Sequence, residues 1–262
     1  MLAVRTGVPM KSLLAAALLL CSSFCLAQFP YTASERLEAV YPDAEVSAVW
    51  HALGAAYVRK ALDDKTLDRD PELNARIDAV TERVAAAVAS ISPRFPANYW
   101  RTILVEGFGH GATAFPGGTL IVDAKFVRQH QVTDEELALI IAHEMAHVVA
   151  GHASEKLSFM AGVMGTNAGT EAQPSARDAL IAFFTREGHV DAFRPIAVKQ
   201  EREADSVGAV FLLKSGYDPQ RALLLFDKLA AQEAGKEVRG ADTHDPAALR
   251  KQLVLRAIEA QF

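Results

Sequence analysis

The residues of this chain best suited to chemistry are two histidines and a glutamate in the apolar run "IIAHEMAHVVAGH", residues 140–152. His143 and His147 are four residues apart, so on a helix their imidazoles lie on one face and can share a metal ion. Glu144 follows the first histidine and is placed to act on a water molecule at that ion. This HExxH spacing predicts a zinc site with its own general base; the alternative is a pair of hydrogen-bonded core histidines.

A catalytic zinc ion needs a third protein ligand, which we expect on a later helix. The segment "KQEREADSVGAVFLLKSG", residues 199–216, has the periodicity of an amphipathic helix. Glu201 and Asp205 share one face of it, which suits a ligand carboxylate and an acid that orients a ligand imidazole through its other ring nitrogen. Glu203 lies roughly opposite Glu201 on this helix, and we interpret it as a solvated charge. The predicted zinc ligands are therefore His143, His147 and Glu201.

The elements that position these residues are also visible in the sequence. A capping box at Thr133 starts the HExxH helix, and Gly151 is placed to end it. The segments "RTILVEG" (101–107) and "GTLIVDA" (118–124) are predicted to be strands on either side of a glycine-rich connection, in which we interpret His110 as unrelated to zinc. Helical patterns dominate the remainder. We therefore predict an α+β fold, mostly α, with a small β-hairpin or sheet beside the HExxH helix.

The N-terminal residues form a separate pattern. Two basic residues precede the apolar run "SLLAAALLLCSSFCLA", which ends at small residues, as is typical of a secretory signal peptide. We expect cleavage after Ala27, with an uncleaved anchor as the alternative. Cys21 and Cys25 each follow a bulky residue, which disfavours a lipid anchor. The expected organisation is a signal peptide (1–27), an N-terminal helical segment (28–98) and a metallopeptidase domain (99–262).

Composition excludes one class of partner. The chain is 50% hydrophobic and 23% charged, which is an ordinary globular balance, and its net charge is −5. Because it has no cluster of lysines and arginines, we predict no nucleic-acid surface.

Beyond these patterns, the motifs resemble a known family. HExxH followed by the E-x-x-A-D of Glu201 to Asp205 resembles the HtpX-like zinc endopeptidases, a gluzincin family with BepA- and LoiP-type periplasmic and OMA-type mitochondrial members. His152, five residues after the second ligand, also matches the family's long motif. The segments "TAFPGGTLIVD" and "THDPAALRKQL" (243–253) resemble two further family segments. One departure is Asp245, which separates His244 from the proline that the family usually has beside it.

The resemblance implies a gluzincin-like fold, one Zn²⁺ per chain, and a periplasmic endopeptidase that hydrolyses peptide bonds in misfolded or misassembled envelope proteins. Its partners would be unfolded polypeptides, with peripheral contact to the outer membrane or its assembly machinery. The alternative is a chaperone-like assembly factor for outer-membrane proteins with a latent, closed zinc site. A structural metal module is disfavoured, because it would leave Glu144 without a role.

Further residue roles follow from the resemblance and remain open. His244 is a candidate oxyanion donor or a reversible fourth metal ligand, and a surface histidine is the third alternative. We interpret Arg250 as the anchor of the last helix through a salt bridge, and His152 as structural. The strand around "GGTLIVD" is expected to pair with an extended substrate by β-augmentation.

Overall fold

The computed structural model describes residues 36–109, 111–168, 173–186, 188–234 and 243–262. The predicted signal peptide with its cleavage site, and His110, lie outside these residues. The helices are α1 (Asp43–Asp63), α2 (Pro71–Ile91), α3 (Ala124–Gln129), α4 (Asp134–Val149), α5 (His152–Ala168), α6 (Ala176–Thr185), α7 (His189–Lys214), α8 (Pro219–Ala222), α9 (Leu224–Glu233) and α10 (Ala247–Glu259), and the strands are β1 (Arg101–Val105), β2 (Ala112–Phe115) and β3 (Thr119–Asp123).

The strands form one sheet in the order β1-β3-β2. The central strand β3 runs parallel to β1, with Ile103 opposite Ile121, and antiparallel to β2, with Ala114 opposite Leu120. The sequence predicted β1 and β3, whereas β2 lies in the connection that was interpreted as a loop. The expectation that the "GGTLIVD" strand pairs with substrate is wrong, because both edges of β3 are already hydrogen-bonded to neighbouring strands.

The turn between β2 and β3 depends on glycine. Gly118 has φ +87°, and a Cβ atom there would lie 1.8 Å from the carbonyl oxygen of Tyr99. Since no side chain fits this contact, the residue allows the chain before β1 to pass directly against the turn.

Helix α4 has the ends that the sequence predicted. The Thr133 side chain accepts a hydrogen bond from the Glu136 backbone, and the Glu136 carboxylate accepts one from the Thr133 backbone. Helix α4 ends at Val149, and Gly151 follows in a left-handed conformation with φ +78°. Most of its apolar side chains are buried, so the helix that carries HExxH lies in the core.

Helix α7 packs directly against α4, and α10 packs against α7. The contact between α4 and α7 is close because Gly208 has no side chain: a Cβ atom there would lie 3.0 Å from the Cα of His143. Trp50 and Trp100 are buried. The architecture, mostly helical with a small sheet beside α4, confirms the predicted fold class.

In the part of the chain that the structure describes, no single helix has the length and apolar character to cross a membrane. One consecutive pair, Asp134–Val149 and His152–Gly165, meets those criteria jointly but is bent by 48°.

Candidate metal centre

Two imidazoles and a carboxylate meet between α4 and α7. His143 and His147 are one turn apart on α4, and their Nε2 atoms lie 3.1 Å from each other. Glu201 reaches across from α7 and places its Oε2 atom 3.2 Å from Nε2 of His143 and 3.4 Å from Nε2 of His147. The structure therefore brings together the three residues that the sequence predicted to bind zinc.

The other nitrogen of His143 is held by an acid–base pair. Nδ1 of His143 donates a hydrogen bond of 2.9 Å to Oδ1 of Asp205, which lies one turn after Glu201 on α7. Arg250 of α10 donates to both oxygens of Asp205, at 2.7 and 2.9 Å. Burial alone would raise the pKa of Asp205, but these bonds, with those of Arg250 the stronger, hold it at about 2. The salt bridge predicted for Arg250 is confirmed, and it directs Nε2 of His143 toward Glu201.

On the other side, His147 is supported by His152 and Glu203. Its Nδ1 atom lies 2.8 Å from Nδ1 of His152, whose Nε2 lies 3.0 Å from Oε2 of Glu203. His152 is only 1% exposed and Glu203 only 2%. The interpretation of Glu203 as a solvated charge is wrong, because Arg36, which precedes α1, covers this face of α7 and forms an ion pair with the carboxylate.

His244 approaches the same carboxylate from the segment before α10. Its Nε2 atom lies 2.8 Å from Oε2 of Glu201, and the imidazole remains 48% exposed. The neighbouring Asp245 accepts two hydrogen bonds from Arg202, at 2.7 and 3.0 Å. The residue that departs from the family pattern thus anchors the segment to α7, beside Glu201. One donor atom each of His143, Glu201 and His244 lies within 4.8 Å of the others.

The donor set fits a zinc ion. Oε2 of Glu201 is buried and makes no hydrogen bond within the described residues, although three imidazole nitrogens surround it at 2.8–3.4 Å. Ligand atoms of a tetrahedral zinc ion are about 3.3 Å apart, since each lies about 2.0 Å from the metal. The donors also attract positive charge: burial lowers the pKa of His143, but the carboxylates of Asp205 and Glu201 beside its ring raise the pKa overall to about 10. Imidazole and carboxylate donors at these separations are those that zinc prefers.

Glu144 lies next to this centre and faces the sheet. Its Oε2 atom accepts a hydrogen bond of 3.1 Å from the backbone N–H of Ala114 in β2. Burial raises the pKa of this carboxyl group above its ordinary value. The edge of β2 that pairs with no other described strand therefore faces the same space as the side chain of Glu144.

That space is a cavity of about 480 Å³. The metal-centre residues and Glu144 line one part of it, and Lys156 of α5 also borders it; burial lowers the pKa of the Lys156 ammonium group. The remaining wall is strongly aromatic, with contributions from α1, β2, the connection before β2, α6 and α9: Trp50, Tyr57, Phe108, Phe115, Phe183, Phe184 and Phe226.

Sequence reasoning missed Glu203 and Arg36. Two features of the sequence pointed to Glu203: it is an acidic residue on the helix that carries the ligand Glu201, and His152 is available as a partner. A helical wheel, however, does not show which residues of other segments cover each face of the helix. Arg36 carried no signal, because it is 167 positions away from Glu203 in the sequence.

Comparison with known proteins agrees with this geometry. Residues 71–256 match the profile of peptidase family M48. The chain is 32% identical over 189 residues to the beta-barrel assembly-enhancing protease of Yersinia pestis, covering 69% of this chain and 37% of that protein. It is 25% identical over 202 residues to the mitochondrial metalloendopeptidase OMA1 of Arabidopsis thaliana, covering 76% of this chain and 37% of the relative. The metalloprotease LoiP of Escherichia coli is 30% identical over 125 residues, covering 46% of this chain and 48% of LoiP.

The chain thus spans little more than a third of the first two relatives. The resemblance to BepA-, LoiP- and OMA-type metallopeptidases is confirmed, and so is the prediction of a metallopeptidase; the peptidases of this family are zinc-dependent in general. The chain belongs to peptidase family M48.

Proposed function

We propose that this protein is a periplasmic zinc endopeptidase that hydrolyses peptide bonds in misfolded or misassembled envelope polypeptides. The observation that carries the proposal is the convergence of His143, His147 and Glu201 beside the buried carboxylate of Glu144. A site that only stabilised the fold would not need that carboxylate, whereas peptide hydrolysis needs a base next to the metal.

In this mechanism His143, His147 and Glu201 hold one zinc ion per chain, and Asp205 orients the first imidazole. When bound, zinc activates water and polarises the scissile carbonyl. Glu144 takes a proton from the attacking water and passes it to the leaving amine. Its hydrogen bond from Ala114 holds the carboxylate in place, and the burial that raises its pKa makes it a better proton acceptor.

His244 has two proposed roles in this site, and they differ in effect. As an oxyanion donor, its imidazole would donate a hydrogen bond to the carbonyl oxygen of the substrate during attack. As a fourth ligand, it would close the site. Its position at 2.8 Å from Glu201 supports participation in the site under either role.

The surroundings of the centre suit an unfolded substrate. An extended polypeptide can add to the free edge of β2, where recognition uses main-chain hydrogen bonds rather than a particular sequence. The aromatic wall of the cavity suits a large apolar side chain, which folded proteins bury and misfolded proteins expose. Main-chain pairing together with an apolar pocket is what an enzyme of protein quality control requires.

The location of the protein and its division into segments are also proposals. The N-terminal pattern supports export with removal of residues 1–27 and no lipid. We retain the division into an N-terminal helical segment (28–98) and a metallopeptidase domain (99–262). The name of the Yersinia relative supports a role near outer-membrane assembly, with peripheral contact to the membrane or its machinery.

A chaperone-like assembly factor with a latent zinc site is the second candidate. The contact of His244 with Glu201 favours it, because a histidine bound as a fourth ligand would take the position that the attacking water needs.

The test is cleavage of unfolded casein by the purified mature protein, with metal content measured on the same sample. We expect about one zinc per chain and cleavage that Glu144→Gln abolishes without loss of zinc. Glu135→Gln is the matched control, since it makes the same change on α4 away from the cavity, and it should cleave normally. A wild-type protein that binds zinc and leaves casein intact would favour the latent assembly factor.

A further inference from the structure

A buried chain of polar residues leads from the metal centre to the N-terminal end of the described structure. We propose that His152, Glu203 and Arg36 are positioning residues that hold His147 in its metal-binding orientation. The inference rests on the proposed function, because it takes His147 to be a zinc ligand.

The first step is the contact between two imidazoles. Nδ1 of His147 lies 2.8 Å from Nδ1 of His152, and the rings meet edge to face at 76°. If Nε2 of His147 presents its lone pair to zinc, the ring proton must be on Nδ1. His147 therefore donates, and Nδ1 of His152 accepts.

The second step follows from the first. A neutral His152 that accepts at Nδ1 carries its own proton on Nε2. That atom lies 3.0 Å from Oε2 of Glu203, and a carboxylate is the acceptor that this proton needs. Both hydrogen bonds then have their donor on the side of the metal, so His147 carries its proton on Nδ1 and His152 carries its proton on Nε2.

The third step is the charge at the end of the chain. Glu203 is 2% exposed, and a carboxylate buried to that extent needs a cation beside it. Arg36 supplies the cation through Nη2, while its Nη1 donates a 2.6 Å hydrogen bond to the carbonyl of Ala150 at the end of α4. Arg36 thus neutralises Glu203 and satisfies a free carbonyl of the helix that carries both imidazoles.

The two ligand imidazoles are supported by similar sets of residues: each is held by an acid that is paired with an arginine. His143 is held by Asp205 and Arg250, and His147 is held by Glu203 and Arg36 through the additional ring of His152. Helix α7 therefore provides the ligand Glu201 and, two and four residues after it, the acids that support both histidines. Support of this kind typically changes metal affinity by about 10- to 100-fold when it is removed.

A purely structural role for these residues makes a different prediction, and a neighbouring acid provides the control. Glu155 of α5 is 4% exposed and accepts a 2.6 Å hydrogen bond from Gln200, and it belongs to the same buried region. None of its described hydrogen bonds involves an imidazole. Glu203→Gln and Glu155→Gln thus make the same isosteric change in the same surroundings, but only the first alters a hydrogen bond of the chain to His147.

The experiment measures zinc affinity by competition with a chelator in the full mature protein. Glu203→Gln and Arg36→Gln should weaken zinc binding by about 10- to 100-fold, whereas Glu155→Gln should bind as the wild type does. Arg36→Lys keeps the charge and should recover part of the affinity. Equal affinity in Glu203→Gln and Glu155→Gln would overturn the inference.

A second measurement needs no variant. Nitrogen-15 NMR of the imidazoles in the zinc-loaded wild type should place a proton on Nδ1 of His147 and on Nε2 of His152. A proton on Nδ1 of His152 would reverse the order of donors and refute the chain. Since affinity and tautomers are read without substrate, a protein that binds zinc but cleaves nothing overturns the proposed function alone.

Discussion

Asp205→Asn tests how far the support of the metal centre depends on one buried charge. Asp205 is 3% exposed and accepts two hydrogen bonds from Arg250 and one from His143. The variant leaves the guanidinium of Arg250 without its counter-ion, and breaking a buried pair in this way costs about 3–5 kcal/mol. Because Asn can still accept one hydrogen bond, we expect a loss near 3 kcal/mol in the free energy of unfolding.

The pKa of Asp205 leads to a similar magnitude and defines the pH range. Its folded value of about 2 is below the ordinary 3.8, with the hydrogen bonds of Arg250 outweighing the opposing effect of burial. This depression corresponds to roughly 2 kcal/mol of stability at neutral pH. A depressed carboxyl pKa stabilises the folded state above the unfolded pKa, and the contribution is lost as the pH falls through the folded pKa. The difference between wild type and variant should therefore be full above about pH 4 and shrink toward about pH 2.

Asp227→Asn is the matched control. Asp227 pairs with Lys251, the residue after Arg250, at 2.6 and 2.7 Å, but both side chains are substantially exposed. An exposed pair contributes at most about 1 kcal/mol. Urea unfolding of the metal-free proteins at several pH values measures both variants. Equal losses in Asp205→Asn and Asp227→Asn, or a loss that does not change with pH, would refute the reasoning.

Three further predictions concern the turn, the ligand candidate His244 and the metal. Gly118→Ala should prevent folding, because its Cβ would lie 1.8 Å from the Tyr99 carbonyl oxygen, whereas Gly107→Ala, at φ +71° with nothing within 4 Å, should cost about 1 kcal/mol in thermal unfolding. His244→Ala should retain zinc and raise casein cleavage if the histidine closes the site. If His244 is an oxyanion donor, the same variant should lower turnover by about 10²- to 10³-fold. Unchanged cleavage and unchanged zinc affinity would show that His244 is a surface histidine with no role in the site. Free zinc at about 100 times its dissociation constant should stabilise the metal-free wild type by about 2.7 kcal/mol and leave Glu201→Ala unchanged, as calorimetry can measure.

Much of the metal centre was predictable because helical periodicity is local. Backbone hydrogen bonds four residues apart set the faces of α4 and α7, so the pairs His143 with His147 and Glu201 with Asp205 could be placed on common faces from their spacing. The capping box at Thr133 is likewise contained within four residues. These features did not depend on the rest of the fold.

The arrangement of the strands was harder to predict from the sequence. The hydrophobic patterns of β1 and β3 identified two strands, but the order β1-β3-β2 arises from pairing across the sheet and not from either strand alone. A pattern shows that a strand has a buried face; it does not show whether its edges are occupied. Substrate pairing was consequently expected at β3, whereas among the described strands it is β2 that has an unpaired edge, and this edge faces Glu144.

The sequence by itself determined the donor types, their spacing and the helices that carry them, since these follow from interactions within a few residues. Only the tertiary structure decided which distant groups complete the centre. It buried Glu203 under Arg36, joined His152 to His147, and used Asp245 and Arg202 to hold His244 beside Glu201. These contacts exist because segments far apart in the chain pack against the two central helices, and a buried charge in such packing must be paired.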